Sequence, residues 1–113
     1  VHEGGLIAPG AATMAHALNA RTARLPVVEG AAPATPGRTT GDCIALGCGL
    51  ALTGLVAQAF ARFDPEGRRR WLMTGGAAPT LLDAGAGLPA MAHRPQLVLE
   101  GLVAYASKAG WPP

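Results

Sequence analysis

Gly4-Gly5-Leu6-Ile7-Ala8-Pro9-Gly10 lies almost at the first residue, and its reading decides the fold. Its apolar centre, Leu6 to Ala8, predicts a short buried strand, which Pro9-Gly10 breaks before a helix begins. A buried strand needs paired neighbours, because its backbone N–H and C=O groups must find partners. Only Val1, His2 and Glu3 stand before it. The stretch therefore points to an α/β arrangement entered partway through a sheet, the back half of a larger protein.

The rest of the chain alternates in the same manner. Ala11 to about Thr22 is rich in Ala, with Met14 and Leu18 four apart on one face, and predicts a helix that Leu25-Pro26 stops. Arg21 and Arg24 sit at its C-terminal end, where cations complement the helix dipole. Val27 to Arg38 holds Pro33, Pro36, Gly30 and Gly37 and reads as a loop, of a length that is often functional. A second helix starts near Thr39-Thr40, where a threonine can cap and Asp42 suits the positive end. It runs to Arg62 or Phe63, and Asp64-Pro65-Glu66-Gly67 turns the chain.

Trp71 to Thr74 predicts a short buried strand that ends in Gly75-Gly76. Pro79 suits the first turn of a short helix through Leu82 or Asp83. Ala84 to Pro89 is a Gly-rich connection, and Met91 to His93 fits a small edge strand. A final helix follows Pro95-Gln96, with Leu97, Val98, Gly101, Leu102 and Tyr105 as its apolar stripe; Trp111-Pro112-Pro113 reads as a loose tail. Strands alternating with helices place the chain in the α/β class with a small sheet.

Composition narrows the function classes. The chain has 113 residues, enough for one ordinary domain at most. It is 50% hydrophobic and 14% charged, which suits faces buried against another domain or subunit. The formal charge is +2, and Arg68-Arg69-Arg70 is the only basic cluster, a weak footprint for nucleic acid. Cys43 and Cys48 are five apart in one helix, so they point in different directions and do not pair. Both are expected to be packed in apolar surroundings, and neither belongs to a zinc-binding spacing. No charged-then-apolar leader opens the chain, which fits a reducing cytoplasm. Cys43 to Ala61 lacks any charge and meets the minimum length for a membrane span. Its Gly47, Gly49, Gly54, Thr53 and Gln58 favour a buried helix in a soluble protein, so no membrane is expected.

Two places could bind a ligand. Gly75-Gly76 follows a hydrophobic strand and precedes a helix; without Cβ atoms there, a flat nucleotide base or ribose can approach the backbone. A simple tight turn would use the same residues. Gly37-Arg38-Thr39-Thr40 precedes a helix whose N-terminal N–H groups suit a carboxylate or phosphate. Here the plainer reading is that one threonine only caps. No residue makes a convincing general base: Asp42, Asp64 and Asp83 sit at helix ends or turns, and His2, His16 and His93 are isolated in sequence. Glu100, inside the last helix, is expected to be structural. An acid–base residue would have to lie elsewhere.

In order and in register, Gly4 to Gly10, Arg21-Thr22-Ala23-Arg24-Leu25-Pro26, Gly37-Arg38-Thr39-Thr40, Thr74-Gly75-Gly76-Ala77-Ala78-Pro79 and Pro95-Gln96-Leu97-Val98-Leu99-Glu100-Gly101-Leu102 resemble the C-terminal half of type III pantothenate kinases, the family that includes the Bvg accessory factor proteins. That family is similar in fold to the acetate kinase, sugar kinase, Hsp70 and actin superfamily (ribonuclease H-like). The resemblance implies an incomplete second domain of that fold over residues 1–113, beginning at its third strand, with helices on a small remnant sheet. It implies phosphorylation of pantothenate by ATP, the first step of coenzyme A synthesis, with a divalent cation such as magnesium and a monovalent cation, potassium or ammonium. It also implies a homodimer. Gly75 and Gly76 match the motif that faces adenosine, and Gly4, Gly5 and Gly10 match the loop near the nucleotide cleft. Thr40 matches the threonine that reaches pantothenate from the neighbouring subunit.

The departures from the family are as specific. The Asp-x-Gly-Asn-Thr phosphate motif, the Gly-x-Asp-Arg segment with the catalytic aspartate and the Gly-Thr-Ala segment with the cation-binding acid are absent from the chain, and Thr39 stands where many members have Asn. The superfamily's strand order, 3-2-1-4-5, would leave a two-strand gap of about 10 Å between the strands at Leu6 and Leu72. The chain by itself is therefore expected to be inactive, and unstable or prone to aggregate. A non-catalytic remnant acting as a dimerisation or regulatory module is the alternative.

Overall fold

The computed structural model describes residues 3–22, 25–26, 28, 32–83 and 87–110. Its elements run α1 (Ala11–Arg21), α2 (Thr40–Phe63), β1 (Trp71–Met73), α3 (Ala78–Asp83), β2 (Met91–His93) and α4 (Leu97–Lys108). They fall into two compact units, Val1–Val56 and Ala57–Pro113, with the unit boundary inside α2. The sequence places all four helices and both later strands within a residue or two of these bounds. The expected tail at 111–113, and parts of the Val27–Arg38 loop and the Ala84–Pro89 connection, lie outside the described residues.

In the first unit, the strand expected over Leu6–Ala8 does not form. Residues 3–10 are in neither helix nor strand, and Leu6 and Ile7 are exposed. A strand exists only through its ladder, and among the described residues none pairs with this stretch. At Gly10 the extended backbone ends and its carbonyl accepts the Met14 amide at 2.9 Å, opening α1. Ala15 of α1 packs with Ile44 and Cys48 of α2, and Met14, Leu25 and Val28 close over them. The Asn19 side-chain amide donates to the Leu25 carbonyl and so holds the chain where it leaves α1.

In the second unit, β1 and β2 pair in parallel, with Trp71 opposite Met91, Leu72 opposite Ala92 and Met73 opposite His93. Parallel neighbours need a long crossover. Residues 74–90, containing α3, provide it, and Ala78 of α3 is buried. The Arg94 amide extends the ladder by donating to the Met73 carbonyl at 2.8 Å.

Two helices are less covered than the sequence implies. α2 was expected to be buried, yet Ile44 and Cys48 are its only buried residues among those described. It is long and apolar enough to cross a membrane by length and composition, with a mean hydropathy of 1.9. A core helix passes the same test. α4 presents Val98, Leu102 and Tyr105 of its expected stripe to solvent and buries no residue. Too few partner side chains stand against either helix within the described chain to cover them.

Candidate functional site

The start of α2 is built by a reciprocal cap. Thr39 Oγ1 accepts the Asp42 amide at 3.1 Å, and Asp42 Oδ2 accepts the Thr39 amide at 3.2 Å. This is the capping-box geometry, with Asp in the place usually taken by Glu or Gln. The capping role left open between two threonines thus falls to Thr39, and Thr40 is the first residue of the helix itself. Asp42, committed to the cap, is not a free base.

Gly37 supports this start from behind. A Cβ built there would lie 2.5 Å from the Cys43 amide nitrogen and 2.7 Å from the Asp42 carbonyl carbon. Only a residue without a side chain lets the loop lie this close to the helix. The Cys43 thiol bridges the same approach, donating to the Gly37 carbonyl at 3.3 Å. Cys43 is exposed, contrary to the expectation that both cysteines pack in apolar surroundings: in the first turn of α2 its neighbours are the loop at Gly37 and the open cavity rather than a packed core. Cys48, five residues further along the helix, is buried as expected, and both thiols are free.

Between α1 and α2 this unit contains a cavity of about 750 Å³. Met14, Ala17 and Leu18 of α1 face Ile44, Gly47 and Cys48 of α2 across it. Spacings of three and four residues put each set on one helical face. Thr13, Thr40 and Arg21 also line it, adding two hydroxyls and one cation to largely apolar walls. Arg21 was read from sequence only as a partner of the helix dipole. Its place beside the cavity depends on how two helices pack, and no local pattern carries that information.

The second candidate loop lies in the other unit. Gly75 has φ +98°, a conformation that side chains with a Cβ rarely adopt. Its carbonyl accepts the Ala78 amide at 3.1 Å, which turns β1 directly into α3. Gly76 has no such constraint: nothing lies within 4 Å of where its Cβ would be. Both residues are exposed. Gly75 thus answers to the tight turn, whereas the turn itself does not require glycine at position 76.

The strand leading to this loop is fixed by a residue that the sequence suggested only as a turn former. Asp64 is 4% exposed. Its Oδ1 accepts the Arg68 amide at 2.8 Å, and its Oδ2 accepts the Arg69 amide at 3.0 Å and the Trp71 indole N–H at 2.9 Å. Burial pushes its carboxyl upward, but the indole bond, the two backbone bonds and the Arg69 charge outweigh it and hold the group below its ordinary value of 3.8. The Trp71 ring in turn lies against Phe60 of α2, with centroids 5.6 Å apart. The backbone of the arginine cluster is therefore part of a structured turn, and the Arg68 side chain pairs with Glu66. Glu100, expected to be structural, pairs with Arg94 at 2.5 Å.

Gly4, Gly5 and Gly10 are exposed, with open space around each. The fold brings Gly10 close to the cavity through its neighbour Pro9, which lines it. His2 lies outside the described residues. Among the described residues, no group of three or more His, Cys, Asp or Glu could hold a metal ion.

A family model described as type III pantothenate kinase matches residues 1–62. The type III pantothenate kinase of Halorhodospira halophila is 46% identical over 107 residues, covering 90% of this chain and 40% of that protein. That of Azoarcus sp. is 38% identical over 106 residues, covering 93% and 39%. That of Chlorobium luteolum is 44% identical over 87 residues, covering 70% and 32%. The chain thus spans about 40% of the length of the curated relatives first matched.

Proposed function

The chain belongs to the type III pantothenate kinase family, and from that premise we propose that it forms part of a larger enzyme that phosphorylates pantothenate with ATP, the first step of coenzyme A biosynthesis. The observation that carries the substrate half of this reading is the division of labour at the start of α2. Thr39 does the capping, so the Thr40 hydroxyl is left over at the edge of an apolar cavity that also has Arg21 on its wall. Pantothenate has a branched aliphatic body, hydroxyls and a carboxylate. The apolar walls would hold the body and exclude water, Thr40 would bond a polar group, and Arg21 would attract the carboxylate.

Gly75 and Gly76 would let the nucleotide approach the end of β1 closely; Gly4, Gly5 and Gly10 match, by family, the loop near the nucleotide cleft. Phosphoryl transfer relies mainly on positioning and charge stabilisation. A divalent cation, magnesium by family, would offset phosphate charge when bound, and potassium or ammonium would serve as the monovalent ion. The described residues offer neither ion an acidic cluster, so their ligands would come from outside them. The base would also come from outside this chain, since Asp42 and Asp64 are engaged in structure. By the same reading the enzyme is a cytoplasmic homodimer whose pantothenate cavity lies near the subunit interface, where Thr40 matches the threonine that family members extend across it.

The reading is tested by the coding sequence upstream of Val1, which should carry Asp-x-Gly-Asn-Thr and Gly-x-Asp-Arg in frame. In the full-length protein, pantothenate-dependent ATP turnover should appear, and Thr40→Ala should raise KM for pantothenate about tenfold while leaving KM for ATP in place. Turnover that ignores pantothenate would refute the function, and an unchanged pantothenate KM would refute the role of Thr40. The uncovered apolar stripe of α4 favours one other reading, a non-catalytic dimerisation module. A dimer whose elution and thermal stability are indifferent to ATP and pantothenate would support that module instead.

A further inference from the structure

The strand that ends at Gly75-Gly76 is only three residues long and has one neighbour, β2. So short a strand is weakly held by its ladder alone. Its far end is fixed by the Arg94 amide on the Met73 carbonyl. Its near end is fixed by something different in kind: the buried carboxylate of Asp64, which gathers the Arg68 and Arg69 amides and the Trp71 indole N–H. Trp71 is the first residue of β1, and three residues separate it from Gly75. Asp64 follows directly on α2, its own amide bonded back to the Phe60 carbonyl at 2.9 Å. One side chain therefore ties the end of a long helix to the start of the strand that carries the candidate nucleotide loop.

We propose that Asp64 is a positioning residue for the nucleotide, acting through β1 on the Gly75-Gly76 loop. This rests on reading that loop as the place where ATP binds. The bonding pattern makes a carboxylate necessary. All three donors point at Asp64, with one on Oδ1 and two on Oδ2, so the site needs two acceptor oxygens. An asparagine amide has one acceptor oxygen and one NH2. Whichever way it is turned, at least one protein N–H faces another donor. Repulsion then falls on the first residues of β1 and on the turn before them. The acid does not touch the ligand; its effect reaches ATP by letting the strand end drift.

The test uses the full-length protein with Asp64→Asn and, separately, Trp71→Phe. The second variant keeps a ring against Phe60 and removes one of the three donors. Hydrogen exchange at residues 75–78 is measured together with KM for each substrate. Asp64→Asn should speed exchange at 75–78 and raise KM for ATP about tenfold, with KM for pantothenate within about twofold. Trp71→Phe should shift both in the same direction by less, and it decides the matter if Asp64→Asn does not fold. Unchanged exchange at 75–78 would overturn the proposal, and so would equal acceleration in α1 or equal rises in both KM values, which mark general loosening. If exchange responds as expected but the unaltered protein does not bind ATP, the clamp on the loop stands, and both the nucleotide reading and the role of Asp64 in ATP binding fall.

Discussion

Gly37→Ala should damage the start of α2 more than removing its cap. The added methyl would lie 2.5 Å from the Cys43 nitrogen, 2.7 Å from the Asp42 carbonyl carbon and 2.9 Å from Asp42 Cβ. Two of these atoms are backbone, and the third is the root of a side chain fixed by the capping box, so no flexible group can yield. The loop must move away, and Thr39 moves with it, breaking the bonds between Thr39 and Asp42. Loss of the cap costs about 1 kcal/mol, and forcing a methyl into closed space costs about 1–3 kcal/mol more. The sum, about 2–4 kcal/mol, lowers Tm by roughly 5–15 °C in a protein of a few hundred residues. Thr39→Ala is the control: it removes the cap alone, and its loss should stay near 1 kcal/mol. Thermal unfolding of both variants gives the comparison, and steady-state kinetics gives a second. Because Thr40 follows the shifted residues directly, Gly37→Ala should lower kcat/KM for pantothenate about tenfold or more. A Gly37→Ala protein with the melting temperature and pantothenate kinetics of the parent would refute both the close approach and the placement of Thr40.

Three further outcomes are expected. Asp64 has a carboxyl held below 3.8, so the stability it adds is full above the unfolded value and fades as pH falls through the lower folded value; Trp71 fluorescence should therefore change only below about pH 4, and a transition between pH 5 and 7 would contradict the assignment. Burial raises the group, and the Trp71 indole bond, the Arg69 and Arg68 backbone bonds and the Arg69 charge together lower it further. Gly75→Ala should cost about 1 kcal/mol or more, because φ +98° strains any residue with a Cβ, whereas Gly76→Ala should leave Tm nearly unchanged and raise KM for ATP; if KM for ATP is also unchanged, no ligand approaches Gly76. Glu100→Gln should cost less than about 1 kcal/mol, since its partner Arg94 and Glu100 itself are both partly exposed, and a larger loss in a thermal melt would mean that the pair holds more than the turn before α4.

Local chemistry wrote most of the elements into the sequence. Pro9-Gly10, Thr39-Thr40 with Asp42, Asp64-Pro65-Glu66-Gly67 and Gly75-Gly76 are punctuation that works within a few residues, and each marks a boundary in the structure. Leu6 to Ala8 failed for the opposite reason: an apolar run shows what a segment could become, while a strand exists only when another segment pairs with it. Burial was misjudged on α2 and at Cys43 because exposure depends on what stands opposite a face. The same limit hid the cavity. Thr40 was legible as a candidate because helix starts attract anions, but Arg21 entered only once α1 and α2 were packed. Asp64 was visible as a turn residue, and its three donors were not, since Trp71 lies seven positions away with nothing in the spacing to link them.

The uncovered surfaces bear on the choice between a kinase part and an independent module. One face of α2, at Ile44, Gly47 and Cys48, is turned toward α1. Leu50 lies on another face and is exposed; Leu55, on the same face about two turns beyond Cys48, is exposed too, as are Val98, Leu102 and Tyr105 of α4. A helix that is apolar on more than one side is covered either by a larger protein core or by lipid. Gly47, Gly49, Thr53 and Gly54 interrupt the apolar run of α2, as such residues do in core helices. An independent module that only dimerised would need one contiguous apolar patch, with charge around the rest. Here the apolar side chains occur on separate helices in separate units, within a chain that is 14% charged. With exposed apolar side chains in each unit and little charge around them, each unit has a face that calls for cover, as the rest of a larger enzyme would provide.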